Sequence, residues 1–303
     1  MRHLRSNSAP QRARRGFTLV ELVVVLLIIA AVAGLVIPAV AALGRTTDMA
    51  ASAKTQQDIA NNIQQFFVLQ KRFPQGQDSL LQPDALGGTA IVPTTLYAPV
   101  SSGGQQVSGM TASSPNLFGL LTFDNATIAD SGTIQFRRSF TRGGFDYVYD
   151  HQSYDPATLV GEPNANNSGK IQRTFAAGAI PVARLRGTVG TEATALTADQ
   201  LTLLRRIVPA EFNALGEYTP ELGTHLIAMG VGPNCRIVPT TMMNTPSYPG
   251  ADGKYYGRYV AIYKVYSTGE RPTLLAVTDA YGRTSDYTIQ QFNESLPNGA
   301  RQG

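Results

Sequence analysis

The N-terminal part of the chain changes abruptly from polar to apolar at Phe17. The 16 residues before this position are polar and basic. From Leu22 to Leu43 no residue is charged, and this length is close to the roughly 20 residues that a helix needs to cross a bilayer. The pattern predicts a basic N-terminal segment at 1–16 and a membrane-spanning helix at 17–43.

A different pattern follows at 44–72. Apolar residues recur there at spacings of three or four, at Ile59, Ile63, Phe66 and Phe67. This is one face of an amphipathic helix, and it predicts the surface on which a globular head packs. Pro74 disfavours helical structure at the residue before it. The two patterns together predict one helix over 17–71, roughly 80 Å long at about 1.5 Å per residue.

The remaining residues, 73–303, are predicted to form the head. Short segments of alternating or continuous apolar character, separated by stretches rich in glycine, proline and serine, indicate strands and turns. In 258–267 the odd-numbered residues from 259 to 265 share one face and the even-numbered residues share the other. We predict strands at 116–123, 132–140, 143–150, 258–267, 273–280 and 286–292.

A helical insertion is predicted between these strands. Thr197 and Gln200 have the spacing of a capping box, and Pro209 closes the helix that follows. A second helix is predicted from Thr219, with a proline in its first turn, to Gly230. The predicted fold class is therefore α+β: a long N-terminal helix, membrane-spanning in its first half, packed on an antiparallel β-sheet head with a helical insertion.

The net charge reflects the leader rather than the head. Five arginines and no acid lie in the first 16 residues, and without them the formal charge of +4 becomes −1. No nucleic-acid partner is expected, because the rest of the chain has no basic excess. Three further arginines are interpreted as the solvated edge of a strand; they are Arg137, Arg138 and Arg142.

One acid, Glu21, lies near the start of the apolar run. An ordinary secretory signal is one explanation of the run, and the small residues Ala39-Val40-Ala41 offer a cleavage site. A plain membrane anchor with basic residues inside is another. Both leave Glu21 without a role, unless its carboxylate simply reaches the headgroups.

A third explanation accounts for the acid. The segment RRGFTLVE, residues 14–21, resembles the N-terminus of type IV pilins and type II secretion pseudopilins. The resemblance implies that prepilin peptidase cuts after Gly16 and that the new N-terminal residue, Phe17, is methylated. It also implies a single-pass protein of the bacterial inner membrane with an extracytoplasmic head, which assembly machinery transfers into a filament of similar subunits.

The resemblance assigns Glu21 to assembly. An intramembrane carboxylate is costly unless it is paired, and the new α-amino group at Phe17 of a neighbouring subunit would supply the partner. Such a pair sets axial register more than it adds net stability. Gly34 lowers helix propensity and Pro38 lacks an N–H, so both are predicted to loosen the helix, as in the resembled subunits.

The sequence carries no motif typical of an enzyme: no phosphate-binding loop, nucleophile elbow or paired cysteines. We therefore predict no catalytic residue and no cofactor. His151 lies among acidic residues, which we interpret as a solvated strand end rather than a metal cluster. Calcium is a weaker possibility at Asp252 and Asp279, since calcium prefers oxygen ligands. Cys235 is the one cysteine, interpreted as a small buried or half-buried side chain rather than an intermolecular bridge.

These patterns favour a pilin-like structural subunit of a type IV pilus or a type II secretion pseudopilus, and the large head favours a minor subunit. The alternative is an exported or membrane-anchored binding domain with a conventional signal or anchor. The choice among secretion, adhesion, motility and DNA uptake stays open, as does the ligand of the head.

Overall fold

The computed structural model describes residues 19–78, 80, 117–122, 133–149, 172–174, 182–185, 196–246, 248, 258–279 and 281–295. The chain divides into two compact units, the first ending at Thr47 and the second beginning at Asp48. The helices in the described residues are α1 (Leu19–Gln70), α2 (Leu117–Leu120), α3 (Thr133–Gly143), α4 (Ala198–Ile207), α5 (Ile237–Thr240) and α6 (Ser285–Ser295).

An antiparallel sheet lies at the centre of the second unit. Its strand order is β1-β4-β5-β6-β7, and a separate pair is formed by β2 and β3. The strands are β1 (Leu121–Thr122), β2 (Tyr147–Tyr149), β3 (Gln172–Thr174), β4 (Ala183–Leu185), β5 (Thr224–Gly230), β6 (Val260–Tyr266) and β7 (Thr273–Thr278). The α+β class, with a long N-terminal helix and an antiparallel sheet, is confirmed.

Membrane crossing was predicted for the first half of α1. Among the helices in the described part of the chain, none combines the length and the apolarity needed to cross a membrane. The membrane-spanning segment at 17–43 stays a prediction.

The two faces of β6 divide the core of the second unit, as the alternation at 258–267 predicted. Tyr259, Ala261, Tyr263 and Val265 lie in one cluster, together with buried residues of α1 and α3. Val260 and Ile262 lie in another, together with residues of α4. The sheet is thus covered by helices on both faces, which is why both sets of side chains on β6 are buried.

The predicted helix after Thr197 is confirmed as α4. Gln200 donates its backbone N–H to Thr197 Oγ1 at 3.2 Å, and Thr197 donates its own backbone N–H to Gln200 Oε1 at 3.1 Å. This reciprocal pair satisfies two donors that a helix start otherwise leaves open. A short 3-10 helix, Pro209–Glu211, follows α4, since proline cannot continue the α-helix.

The strand predicted at 132–140 is wrong, because this segment forms α3. Phe136 and Phe140 lie four positions apart, and both are buried, as expected for one face of a helix rather than a strand. Gly144 follows with φ +88°, the left-handed conformation that commonly ends helices. The three arginines predicted at a strand edge therefore belong to a helix. The predicted strand at 116–123 is divided between α2 and β1.

Two further predictions, at 219–230 and 286–292, are wrong: the predicted helix contains a strand, and the predicted strand belongs to a helix. The predicted helix at 219–230 contains β5, which pairs with β4 on one side and β6 on the other and is buried along its whole length. A strand buried on both faces loses its alternation and resembles a buried helix in sequence. The predicted strand at 286–292 belongs to α6, where Gln291 Nε2 donates to Tyr287 Oη one turn earlier at 2.7 Å.

Candidate assembly helix

The described part of the first unit belongs to α1 and exposes apolar side chains on every side. Each large aliphatic side chain below is between 46% and 80% exposed. A helix that is apolar all round is normally covered by lipid or by other protein, and an exposed apolar surface of this extent marks an interaction site. The side chains are Leu19, Val20, Leu22, Val23, Val24, Val25, Leu26, Leu27, Ile28, Ile29, Val32, Val36 and Ile37.

The predicted assembly residue, Glu21, lies in the first turn of α1 and is exposed. A negative charge at this end of a helix is favoured by the helix dipole. The carboxylate is therefore placed where a helix tolerates it, on a surface that is otherwise apolar. Gly16 and Phe17, the predicted cleavage and modification residues, lie outside the described residues.

The two predicted helix-loosening residues, Gly34 and Pro38, both lie inside α1, which continues through them. A Cβ atom added at Gly34 would meet nothing within 4 Å. No neighbour in the described part of the chain therefore requires a glycine there, and its small size is available to a contact from outside the chain. The loosening role stays a prediction.

The part of α1 in the second unit has a buried face. Ala53, Ile59, Ile63 and Phe66 are each at most 3% exposed, whereas Val68 and Leu69 beyond them are more than 60% exposed. The buried positions recur at spacings of three, four and six, which keep them on one side of the helix. They pack on the sheet face that carries Tyr263, so the predicted amphipathic stripe is confirmed.

Two polar residues extend the same stripe toward the N-terminus. Gln56 is 1% exposed, and its Nε2 donates to the backbone oxygen of Arg283 at 3.0 Å. Ser52 lies one turn earlier, and its hydroxyl accepts a 3.3 Å hydrogen bond from Tyr259 Oη. Buried polar groups need such partners, so these contacts hold this part of α1 in a defined register on the rest of the second unit.

Residues 11–37 match the family model of the prokaryotic N-terminal methylation motif. This motif is the signature of type IV pilins and pseudopilins. It supports an exported protein that resembles those subunits, is processed by prepilin peptidase and assembles with other pilin subunits. Proteins with the motif are structural rather than catalytic. No match was found among curated proteins or among solved structures.

Downstream of the methylation motif, the weak calcium candidate Asp279 serves a turn within the fold. Its Oδ1 accepts the backbone N–H groups of Tyr281 and Arg283, both at 2.9 Å, and its Oδ2 accepts Arg283 Nε at 2.7 Å. Burial raises the pKa of Asp279, and the guanidinium of Arg283 opposes that shift. The other candidate, Asp252, lies outside the described residues. Within the described ranges, no group of three or more His, Cys, Asp or Glu could hold a metal ion.

Arg283 connects this turn to two aromatic rings. Its guanidinium lies 4.9 Å from the centre of the Tyr281 ring and donates to the hydroxyl of Tyr248. Burial lowers the pKa of Arg283, but the Asp279 carboxylate opposes this effect. The net shift of the pKa is upward, so the side chain stays charged. A cation stacked on rings and paired with an acid is a rigid support, and the backbone oxygen of the same Arg283 accepts the hydrogen bond from Gln56 of α1.

Cys235 is a free, fully buried thiol. Burial raises its pKa to about 12, so the thiol stays protonated at neutral pH and does not act as a nucleophile. The small buried side chain predicted from the sequence is confirmed.

Sequence reasoning missed Gln56, Arg283 and Tyr248 as the polar part of this attachment. One signal was available: Ser52 and Gln56 continue the apolar stripe at helical spacing, toward the N-terminus from Ile59. A polar residue on an otherwise buried face indicates a specific hydrogen-bond partner. That the partner is a backbone oxygen 227 positions away depends on the tertiary fold.

Proposed function

We propose that this chain is a minor, pilin-like structural subunit of a type IV pilus or a type II secretion pseudopilus. The observation that carries the proposal is the methylation motif at 11–37, continuous with a helix whose apolar side chains are exposed on every side. Such a helix is normally covered by other protein or by lipid, and a filament of parallel subunits provides that cover.

The proposed sequence of events follows from the motif. The protein is held at the bacterial inner membrane with its head on the extracytoplasmic side. Prepilin peptidase hydrolyses the bond between Gly16 and Phe17, and the new α-amino group of Phe17 is methylated. The assembly machinery then transfers the subunit from lipid into the filament.

Glu21 has the central role in this proposal. Subunit helices packed together exclude water, and an unpaired carboxylate in such a place is penalised. The methylated α-ammonium group of Phe17 on a neighbouring subunit removes that penalty only when the two helices are correctly offset. The pair therefore selects the axial register of the filament.

In this proposal the second unit is the head of the subunit. Its attachment to α1 through Ile59, Ile63 and Gln56 means that a force on the helix is transmitted to the sheet. The size of the unit, from Asp48 to Gly303, favours a specialised subunit over the bulk filament protein.

Mass spectrometry of the mature N-terminus tests the proposal. We expect the purified chain to begin at a methylated Phe17, and Gly16→Leu to leave the leader attached. A chain that begins at Ala42, or an intact leader in assembled material, would contradict the proposal and favour a conventional signal or anchor.

A further inference from the structure

One end of the second unit carries cations from three separate segments. Phe73, three residues after α1, donates its N–H to the oxygen of Gly143 at the end of α3, at 2.6 Å. Arg142 donates from Nη1 to the oxygen of Gly269, in the turn between β6 and β7, at 2.6 Å. The end of α1, the end of α3 and this turn therefore lie together. We call their exposed and half-buried cations the basic end, which comprises Lys71, Arg72, Arg142 and Arg271.

The basic end has little counter-charge. Glu270 is the one acid in the turn at 267–272, and Asp146, close to the end of α3, already accepts a hydrogen bond from a glutamine side chain. Among the described residues, no acid pairs with the side chain of Lys71, Arg72 or Arg271. Cations near helix ends offset the helix dipole, but Arg271 follows a strand rather than a helix. The positive charge is therefore in excess at this end.

Large apolar side chains accompany the cations. Leu69 lies in the last turn of α1 and is 67% exposed, and Leu222 is 98% exposed. Leu222 lies at the same end of the sheet, because the oxygen of the next residue, Gly223, accepts the N–H of Ser267 at 2.7 Å. Exposed apolar groups among arginines are typical of surfaces at which proteins meet.

One face of α6 has the complementary character. Positions 286, 289, 290, 293 and 294 follow the i, i+3, i+4, i+7 and i+8 spacing of a single helix face, and they line a depression of about 370 Å³. α6 contains two acids and no lysine or arginine, and no cation in the described part of the chain pairs with either acid. We call this surface the acidic face; its residues are Asp286, Ile289, Gln290, Asn293 and Glu294.

The basic end and the acidic face begin at opposite ends of β7. The turn that carries Arg271 leads directly into Thr273, the first residue of β7. The last residue of the strand, Thr278, pairs with Thr284, which directly precedes α6. Six residues of strand are roughly 17 Å long at about 3.3 Å per residue. Each surface is therefore left to a partner outside its own copy of the chain.

We propose that the basic end of one copy of this chain docks on the acidic face of a second copy. The carboxylates of Asp286 and Glu294 would face the cations, and an exposed leucine would lie over Ile289 in the depression. Because the two surfaces differ, the contact is heterologous and can repeat from copy to copy. Exposed ion pairs contribute little individually, so the charges chiefly set orientation. The proposal does not depend on filament assembly or on Glu21, since two folded copies of the second unit suffice.

Cross-linking between two copies of the full-length chain tests the proposal. Two differently tagged forms are produced in the same cells, one with Thr268→Cys beside the basic end and one with Gln290→Cys on the acidic face; both sites are exposed. The native Cys235 is buried, so a short bismaleimide should link the introduced thiols. We expect the 268–290 product to exceed the 268–268 and 290–290 products at least about fivefold, as a heterologous contact requires.

A matched site provides the control for chance proximity. Thr202→Cys, exposed on α4, replaces Thr268→Cys and should give little product with Gln290→Cys. Absence of the 268–290 product, equal yields of the three products, or an equal yield from position 202 would overturn the proposal.

Charge reversal tests complementarity directly. Lys71→Glu with Arg271→Glu should lower the 268–290 yield at least about fivefold, because like charges across an interface are unfavourable. Asp286→Lys with Glu294→Lys, on the copy whose cysteine is on α6, should restore the yield, which also shows that both variants fold. Lys54→Glu reverses an exposed cation outside both surfaces and should leave the yield unchanged. No loss on reversal, or a loss that the second pair does not restore, would overturn the proposal.

Discussion

The two parts of α1 have the same secondary structure and opposite surroundings. At 19–37 the helix exposes large aliphatic side chains on every side, whereas at 48–70 it buries one face and exposes the other. In the first part apolar residues are continuous. In the second part polar residues separate them at helical spacing. The sequence pattern therefore distinguishes the two parts: spaced apolar residues mark the part that is covered within the chain, and continuous apolar residues mark the part that requires cover from outside it.

The polar residues Gln56 and Glu21 lie in different surroundings on α1. Gln56 lies on the buried face of the second part and has its partner within the chain, the backbone oxygen of Arg283. Glu21 lies on the first part, whose apolar surface is exposed, and its proposed partner belongs to another subunit. Gln56 thus helps to fix the register of α1 on the sheet, and the proposal gives Glu21 the corresponding role between subunits.

The largest expected effect is at Glu21. We expect Glu21→Val to abolish ordered filaments while leaving cleavage after Gly16 intact, because the substitution removes the group that selects the subunit offset. Electron microscopy of sheared filaments and mass spectrometry of the N-terminus measure the two outcomes. Asp58→Val is the matched control, since Asp58 is an acid in the second part of the same helix.

The side chain of Asp58 forms a 3.5 Å surface pair with Lys54, which contributes little. Its replacement should therefore leave filaments unchanged. Normal filaments from Glu21→Val would remove the proposed role of the carboxylate. Equal loss in the two variants would show a general requirement for charge on α1 and erase the distinction between its two parts.

The next effect concerns stability. Ile63 is fully buried against the sheet, whereas Ile28 is 57% exposed. We expect Ile63→Ala to lower the free energy of unfolding by about 2–5 kcal/mol and Ile28→Ala to change it by less than about 0.5 kcal/mol. Denaturant unfolding of the purified chain measures both. Similar losses in the two variants would mean that the first part is also covered within the chain.

The features that local chemistry decides were predicted from the sequence. The stripe at Ile59, Ile63 and Phe66, the capping box at Thr197 and the alternating strand β6 each depend on residues only a few positions apart. The methylation motif is local in the same way. Gly16, Phe17 and Glu21 could be named without any structure, because leader charge, glycine, aromatic residue and acid occur in one short segment.

The wrong predictions share a different cause. The segments of α3 and α6 are short, and their aromatic and β-branched residues also suit strands, so tertiary packing of Phe136 and Phe140 decided the outcome. In β5 the helices packed on the sheet bury both faces and erase the alternation that identifies a strand.

A smaller effect is expected in the core under the second part of α1, and it shows whether water enters that core. Burial holds the pKa of Cys235 at about 12, against an ordinary value of 9.0. Between these values the unfolded chain loses a proton that the folded chain keeps. Stability contributed by Cys235 is therefore complete below pH 9 and is lost as pH rises toward 12, with a slope of up to about 1.4 kcal/mol per pH unit.

Denaturant unfolding at several pH values measures this slope, and Cys235→Ala is the matched variant. We expect the variant to show a shallower decline with rising pH than the unsubstituted chain, whatever its absolute stability. The thiol of the folded chain should also resist alkylation by iodoacetamide at pH 8 and react once the chain is unfolded. Equal slopes together with rapid alkylation of the folded chain would show that water reaches this core.

The smallest effect concerns the backbone of the first part. A Cβ at Gly34 or at Gly44 would meet nothing within 4 Å, so alanine fits at both positions and should favour the helix by about 1 kcal/mol. Amide hydrogen exchange across each site measures that gain. If Gly34 serves a close approach or a loosened helix in the filament, Gly34→Ala should shorten filaments although it strengthens the isolated helix. Gly44→Ala, with the same gain outside the methylation motif, should not, and equal shortening in both variants would assign the effect to helix stiffness in general.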